Sequence, residues 1–298
     1  MNPKRDFITI DSMSAVEILA LLDLAARQKA DPNLYRHSKM FNGKTVGLYF
    51  EKASMRTRLS FEAAIHQLGG QSLYMGMDSG RLGERESIKD FAKAASRYLD
   101  GFVLRTFKHE SIVEMARHCS KPVINGLSDT HHPCQALGDL LTIREKIGTL
   151  AGVKIAYVGD CNNVCRSLAQ AAPKIGALLS IASPPEYSFT ETFDPASGVT
   201  LLKDPLEAVK GAAVIYTDVW ASMGQESEAA KRRAIFQPYQ VNQALLDKAP
   251  GAIVMHCLPA HRGEEITDGV IDGPQSVVYD QAENRMHAQR ALLATLMG

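Results

Sequence analysis

Short apolar runs that read as buried strands alternate with stretches of helical period along this chain, and the series occurs twice. Candidate strands at 45–50, 71–75, 101–105 and 122–125 are separated by helical stretches at 59–68, 87–99 and 111–119. A helical span at 135–146 and a break at 148–152 follow. The pattern then restarts with candidate strands at 154–158, 178–182, 200–202, 213–217, 253–256 and 276–279, with helices fitting between most of them. Strand–helix–strand order implies parallel pairing with helices on both faces of each sheet. The expected fold class is therefore α/β, two doubly wound parallel-sheet domains joined near residues 135–150. The expected division is 1–134, 135–283 and a C-terminal helix at 284–298 that packs back on the first domain. The polar, Pro-containing stretch 183–198 reads as a loop, and the charge-dense stretch 222–233 after Trp220 as a candidate mobile flap.

At 298 residues the chain is long enough for two domains, each with its own core. Lys plus Arg equals Asp plus Glu at 33 each, which gives no electrostatic footprint for nucleic acid. The longest apolar runs, at 212–216 and 253–255, are far too short to cross a bilayer. The start of the chain lacks an apolar signal region, so a cytoplasmic location is expected. The five cysteines are odd in number and show no CxxC pairing, which supports neither a disulfide framework nor a zinc site.

In doubly wound folds, ligands sit beyond the carboxyl ends of the strands, so the chemistry is sought there. The richest strand end is Ser54-Met55-Arg56-Thr57-Arg58, two guanidinia and two hydroxyls at a helix start. With Ser54 as N-cap, the first-turn amides and the helix dipole favour an anion, and each arginine offers a planar fork that matches phosphate oxygens. The alternative is an exposed first turn whose arginines pair with Glu51 and Glu62. Arg105 adds a guanidinium at the end of strand 101–105. His132 and Gln135 flank Pro133 at the next helix start, where a histidine can polarise a carbonyl oxygen and a glutamine can fix an amide. His131 reads as an ordinary loop histidine. In the second series, Val158-Gly-Asp-Cys-Asn-Asn163 lacks the dinucleotide fingerprint, and its asparagines suit an amino-acid carboxylate. Asp218 ends a strand ahead of Trp220-Ala-Ser-Met-Gly224, His256-Cys-Leu-Pro259 ends another, and Tyr279 closes a third before Arg285 at a helix start.

Four of these blocks together, Ser54-Met-Arg-Thr-Arg58, His132-Pro-Cys-Gln135, Asp218 with Ser222-Met-Gly224, and His256-Cys-Leu-Pro259, resemble the aspartate/ornithine transcarbamoylase family, in the family order from about residue 50 to 285. The last two blocks resemble its ornithine-using members. The resemblance implies a carbamoyl phosphate-binding domain followed by an ornithine-binding domain, with the active site in the cleft between them. Ser54, the Met55 backbone, Arg56 and Thr57 would hold the phosphate, while Arg105, His132 and Thr57 face the carbonyl oxygen. Gln135 and the backbone around Leu258 would take the carbamoyl amide, with Arg285 approaching. Arg58 ranks below Arg56, as a packing and salt-bridge residue. Ornithine would place its α-carboxylate on Asn163 and the Met223 backbone and its α-ammonium on Asp218 and Ser222. Cys257 and Asp218 would lie near the attacking amine. The implied catalytic set is Arg105, His132, Asp218 and Cys257.

The implied reaction is attack of the neutral δ-amine of L-ornithine on the carbamoyl carbon, through a tetrahedral oxyanion, giving L-citrulline and phosphate. Such chemistry requires neither cofactor nor metal, and no covalent role is read for Cys257, whose other reading is a small apolar residue beside Leu258 and Pro259. Position 55 is Met where the commonest family motif has Thr. Arg81, in the loop Ser79-Gly-Arg-Leu-Gly83, stands where many relatives have Gln or His, and in the family this loop reaches the neighbouring subunit's site. A homotrimer, or a multiple of trimers, is implied. Two rivals are a transcarbamoylase for putrescine or an N-acylated ornithine, and a non-catalytic relative that keeps the fold.

Overall fold

The computed structural model describes residues 4–36, 39–221 and 226–298. Among these residues nine strands form two wholly parallel sheets. β1 (Thr45–Phe50), β2 (Gln71–Met75), β3 (Gly101–Arg105) and β4 (Val123–Leu127) make one, in the order β2-β1-β3-β4. β5 (Lys154–Val158), β6 (Leu178–Ala182), β7 (Val199–Leu202), β8 (Val214–Thr217) and β9 (Ile253–His256) make the other, in the order β7-β6-β5-β8-β9. β3 and β8 are buried along their whole length and β1 and β5 in all but their first residue, as strands covered by helices on both faces must be.

The chain divides into two compact units, residues 1–141 with 283–298 and residues 142–282. Both divisions fall inside helices, Pro133–Ile147 and Val278–Met297; the boundary expected at 134/135 lies at the start of the first. The strand expected at 276–279 does not form. Ser276 makes one isolated bridge to Val254, and Val278 opens a 20-residue helix, so Arg285 lies well inside that helix and not at its start. Val277 and Val278 are buried at this helix start, and an apolar pair suits a strand or a helix equally until its packing is known.

A helix at Ala15–Ala30, for which the sequence reading assigns no element, completes the first unit. Its start is a full capping box, with Ser14 Oγ accepting from the Glu17 amide and the Glu17 carboxylate accepting from the Ser14 amide. The C-terminal helix ties this one to the helix Met55–Gln67. Arg290, wholly buried, donates to Gln28 at 3.2 Å and Gln67 at 2.5 Å and lies 3.7 Å above the Tyr35 ring, while Lys29 donates to Asn284 at 2.8 Å. In the second unit the core gathers Trp220, Phe236, Val241, Val254 and Ile266 beneath the sheet.

Strand order carries the functional consequence. Chain order reverses direction between β1 and β3 in the first sheet and between β5 and β8 in the second, and at such a switch point the following loops turn to opposite faces and leave a crevice. The segments that leave these four strands begin at Glu51, Thr106, Gly159 and Asp218.

Candidate active site

In the first unit the chain leaves β1 through Glu51 and enters the helix Met55–Gln67 at Ser54. Ser54 has the extended backbone of an N-cap, yet its hydroxyl caps no amide and donates to Thr57 Oγ1 at 3.0 Å. The first-turn amides are thus left to face an anion. Thr57 is buried and accepts a second bond, from Arg285 Nη2 at 2.8 Å. The two arginines of the motif separate. Arg58 pairs with Glu62 at 3.0 Å and lies 3.8 Å over the Tyr74 ring, whereas Arg56 is half-buried and has no ion pair among the described residues. Glu51, the other suggested partner, is buried and engaged elsewhere. Its carboxylate accepts from the amides of Leu82 at 2.9 Å and Phe107 at 2.8 Å, binding the loop that carries Arg81 to the segment after β3. Arg81 itself is exposed, over the Phe107 ring at 4.6 Å and beside Glu84.

Arg105 ends β3 in register with Phe50 of β1 and is buried. His132, also buried, precedes Pro133 at the helix start. Burial holds its imidazole well below the ordinary histidine range, and the positive charges of Arg285 and Arg105 push it the same way. A neutral imidazole between two guanidinia is a hydrogen-bond donor or acceptor, not a third cation. Gln135, one turn on, donates through Nε2 to Asp139 at 2.8 Å while its buried Oε1 has no partner among the described residues, an acceptor suited to an amide N–H. Arg285 approaches closely because Gly138 lies against it. A Cβ at 138 would stand 3.1–3.3 Å from Arg285 Cγ, Cα and N.

In the second unit, Asn163 is the first residue of the helix Asn163–Lys174 and Asn162 is its cap. The Asn162 Oδ1 accepts from the amides of Val164 and Cys165. The same side chain donates through Nδ2 to Asp218 Oδ2 at 2.7 Å, and Cys257 donates to Asp218 Oδ1 at 2.9 Å. Asn162, expected with Asn163 to suit an amino-acid carboxylate, instead bonds Asp218, and its place before Asn163 at a helix start marks it as an N-cap whose amide keeps a second function. Ser222 and Met223 lie outside the described residues. Of the flap expected at 222–233, residues 229 onward form the helix Ala229–Phe236, with Arg232 buried.

Beyond β9, His256 is wholly buried and organises the His-Cys-Leu-Pro turn. Its Nδ1 accepts from the Leu258 amide at 2.8 Å and its Nε2 bonds Glu265 at 3.0 Å, so the neutral tautomer carries its proton on Nε2. Leu258 has φ +56 and a cis bond to Pro259. An incoming N–H needs an acceptor, and the backbone carbonyls of this turn can supply one. Side-chain atoms of Asp218, His256 and Cys257 lie within 4.8 Å of one another, yet the bonds just named already engage all three. All five cysteines are free thiols, and burial pushes Cys134 up to about 12.

Two parallel α/β units, one with an uncapped helix start at Ser54 and the buried Arg105, His132 and Arg285, the other with Asp218 held by Asn162 and Cys257, fit a two-domain group transferase. The chain matches the carbamoyl phosphate-binding domain of aspartate/ornithine carbamoyltransferase over residues 5–145 and the Asp/Orn-binding domain of the same enzymes over residues 151–296. It is 48% identical over 304 residues to the anabolic ornithine carbamoyltransferase of Pyrococcus furiosus, covering 99% of this chain and 96% of that protein. To the ornithine carbamoyltransferase of Bacillus subtilis it is 48% identical over 303 residues, covering 98% and 94%. The solved ornithine carbamoyltransferase of Pyrococcus furiosus superposes with a TM-score of 0.93, at 48% identity over 99% of this chain and 98% of that one. That of Thermus thermophilus gives 0.89, at 42% identity over 98% and 99%. The chain belongs to the aspartate/ornithine carbamoyltransferase family and is a carbamoyltransferase. Among the described residues no helix is long and apolar enough to cross a membrane.

Proposed function

We propose that the protein transfers the carbamoyl group of carbamoyl phosphate to the δ-amine of L-ornithine, giving L-citrulline and phosphate. The observation that carries the donor half is the buried His132 in one unit with the buried Arg105 and Arg285 and the uncapped helix start at Ser54. In this reading the amides of Met55, Arg56 and Thr57, the Ser54 hydroxyl and the Arg56 fork bind the phosphate. Arg105, His132 and Thr57 donate to the carbonyl oxygen, which becomes an oxyanion during attack, and donors aimed at developing charge are worth about 3–4 kcal/mol each where measured. Gln135 Oε1 and the Leu258 carbonyl accept from the carbamoyl amide, and Arg285 steadies Thr57.

The acceptor half rests on Asp218, held from both sides by Asn162 and Cys257, as the site of the α-ammonium, with Asn163 and the Met223 backbone for the α-carboxylate and Ser222 beside the ammonium. Cys257 assists by orienting Asp218 and needs no covalent role, since the δ-amine attacks directly once it has lost its proton. Fixing two substrates in reacting geometry supplies about 7–11 kcal/mol of the barrier reduction in well-oriented systems. The two relatives named as ornithine carbamoyltransferases at 48% identity support ornithine over aspartate, and the Pyrococcus furiosus relative's name supports the anabolic, arginine-forming direction. A cytoplasmic homotrimer, with Arg81 contributing to the neighbouring subunit's site, completes the reading. The test is a carbamoylation assay across ornithine, putrescine, N-acetylornithine and aspartate. Citrulline formation at the highest kcat/KM is expected, and a preference for another amine overturns the acceptor assignment.

A further inference from the structure

One buried cation joins the elements that flank the acceptor groups of the second unit. Arg232, on the helix Ala229–Phe236, is 6% exposed. Its Nη1 donates to Asp160 Oδ2 at 3.0 Å and to the Trp220 carbonyl at 2.8 Å, its Nε reaches Glu228 at 3.3 Å, and its Cζ lies over the Tyr187 ring, 4.4 Å from the centre. Asp160 belongs to the turn after β5, just ahead of Asn162, whose amide holds Asp218; Trp220 follows Asp218 on the segment after β8. The guanidinium therefore links the two strand ends at the switch point of this sheet through a second connection, parallel to the Asn162–Asp218 bond. Ion pairing alone would be met by the carboxylate. The bond to a main-chain carbonyl, made by the same nitrogen, fixes the backbone beside Asp218 relative to the turn that carries both asparagines.

We propose that Arg232, acting through Asp160 and the Trp220 carbonyl, is a positioning residue that sets the spacing between the Asn162–Asn163 turn and Asp218, and so the fit of the amino-acid acceptor. This rests on the proposed use of ornithine. Arginine suits the task because its planar fork bonds acceptors on different elements while its face stacks on an aromatic ring, and a lysine ammonium does not reproduce both. A residue that only supported the fold would lower stability and damage both substrates alike; a spacer of acceptor groups raises KM for the amine and leaves the donor site alone.

The test compares the parent protein with Arg232→Gln, Arg232→Lys, Asp160→Asn and the double variant Asp160→Asn/Arg232→Gln, each checked for folding by circular dichroism. At saturating carbamoyl phosphate, Arg232→Gln is expected to raise KM for ornithine by about tenfold or more, with kcat within about threefold of the parent. Carbamoyl phosphate affinity of the free enzyme is expected to stay within about twofold. The double variant should be no worse than the worse single one, because both substitutions break the same link. An ornithine KM within twofold of the parent in folded Arg232→Gln, equal loss toward both substrates, or multiplying effects in the double variant would each overturn the proposal. If Arg232→Gln does not fold, Arg232→Lys and Asp160→Asn carry the same comparison. A parent that does not carbamoylate ornithine defeats the substrate reading instead; the KM comparison then runs with the amine the parent does use, and an unchanged KM again overturns the positioning role.

Discussion

Arg56 and Arg58 occupy one motif and do different work, a division that local partners set. Arg58 is committed to Glu62 and the Tyr74 face, and in the proposed reading Arg56 receives the dianion. Arg56→Lys keeps a positive charge but loses the bidentate fork, so the fold should survive while carbamoyl phosphate affinity drops by about 10- to 100-fold, some 1.5–3 kcal/mol. Isothermal titration with the free enzyme checks this, and near-parental affinity would remove Arg56 from the phosphate site. His132 makes a second claim at this scale. Folding depresses its proton affinity, so the unfolded chain takes up a proton more readily. Its contribution to stability is intact above the ordinary histidine value of about 6.5 and is lost progressively as pH falls below it. In a histidine-resolved NMR titration the His132 ring should remain neutral at pH 5.5, where exposed histidines are charged. Protonation at the ordinary pH would contradict the buried, arginine-flanked environment.

Elements set what these residues can reach. The helix Pro133–Ile147 presents Gly138 to Arg285, and that close approach keeps Arg285 on Thr57. Gly138→Ala gains helix propensity of about 0.5–1 kcal/mol but crowds the Arg285 backbone, an overpacking that costs about 1–3 kcal/mol. The expected result is a protein of near-parental melting temperature whose kcat/KM for carbamoyl phosphate falls by about tenfold, 1.4 kcal/mol. Steady-state kinetics beside a thermal melt decide it, and unchanged kinetics would show that Arg285 shifts without consequence. Elements were also where sequence reading succeeded and failed most clearly. β1, β3, β5, β6 and β9 lie where apolar runs place them, because a strand buried on both faces leaves a dense local signal; β2 also lies where it was expected, although none of its residues is buried. The helix Ala15–Ala30 shows in sequence only as the capping box of Ser14 and Glu17, and residues 276–279 look like a strand by their β-branched, aromatic composition until packing demands a helix from Val278.

At the scale of the whole molecule, the groups proposed for the two substrates belong to different units, those for the phosphate to the first and Asp218 with its asparagines to the second. Lesions should therefore separate. Asp218→Asn strands the ligand ammonium without its charged partner, a loss of about 2–5 kcal/mol where the pair is desolvated, and ornithine turnover should fall steeply while carbamoyl phosphate binding by the free enzyme holds. Both are measured on one variant; equal damage to both would mean that Asp218 serves the fold at large. By itself the sequence determined the α/β class, the two series of strands and most residue types at the strand ends, because those depend on local periodicity and on chemistry that sits close along the chain. Strand order was decided only by tertiary structure. Polar groups follow seven candidate strands in the sequence, and pairing β1 with β3 and β5 with β8 singled out the switch points. Tertiary structure also decided that Arg285 should meet Thr57 and that Arg232 should meet Asp160, 228 and 72 residues apart in the chain. No local pattern encodes such contacts; they follow from which faces must be buried against which.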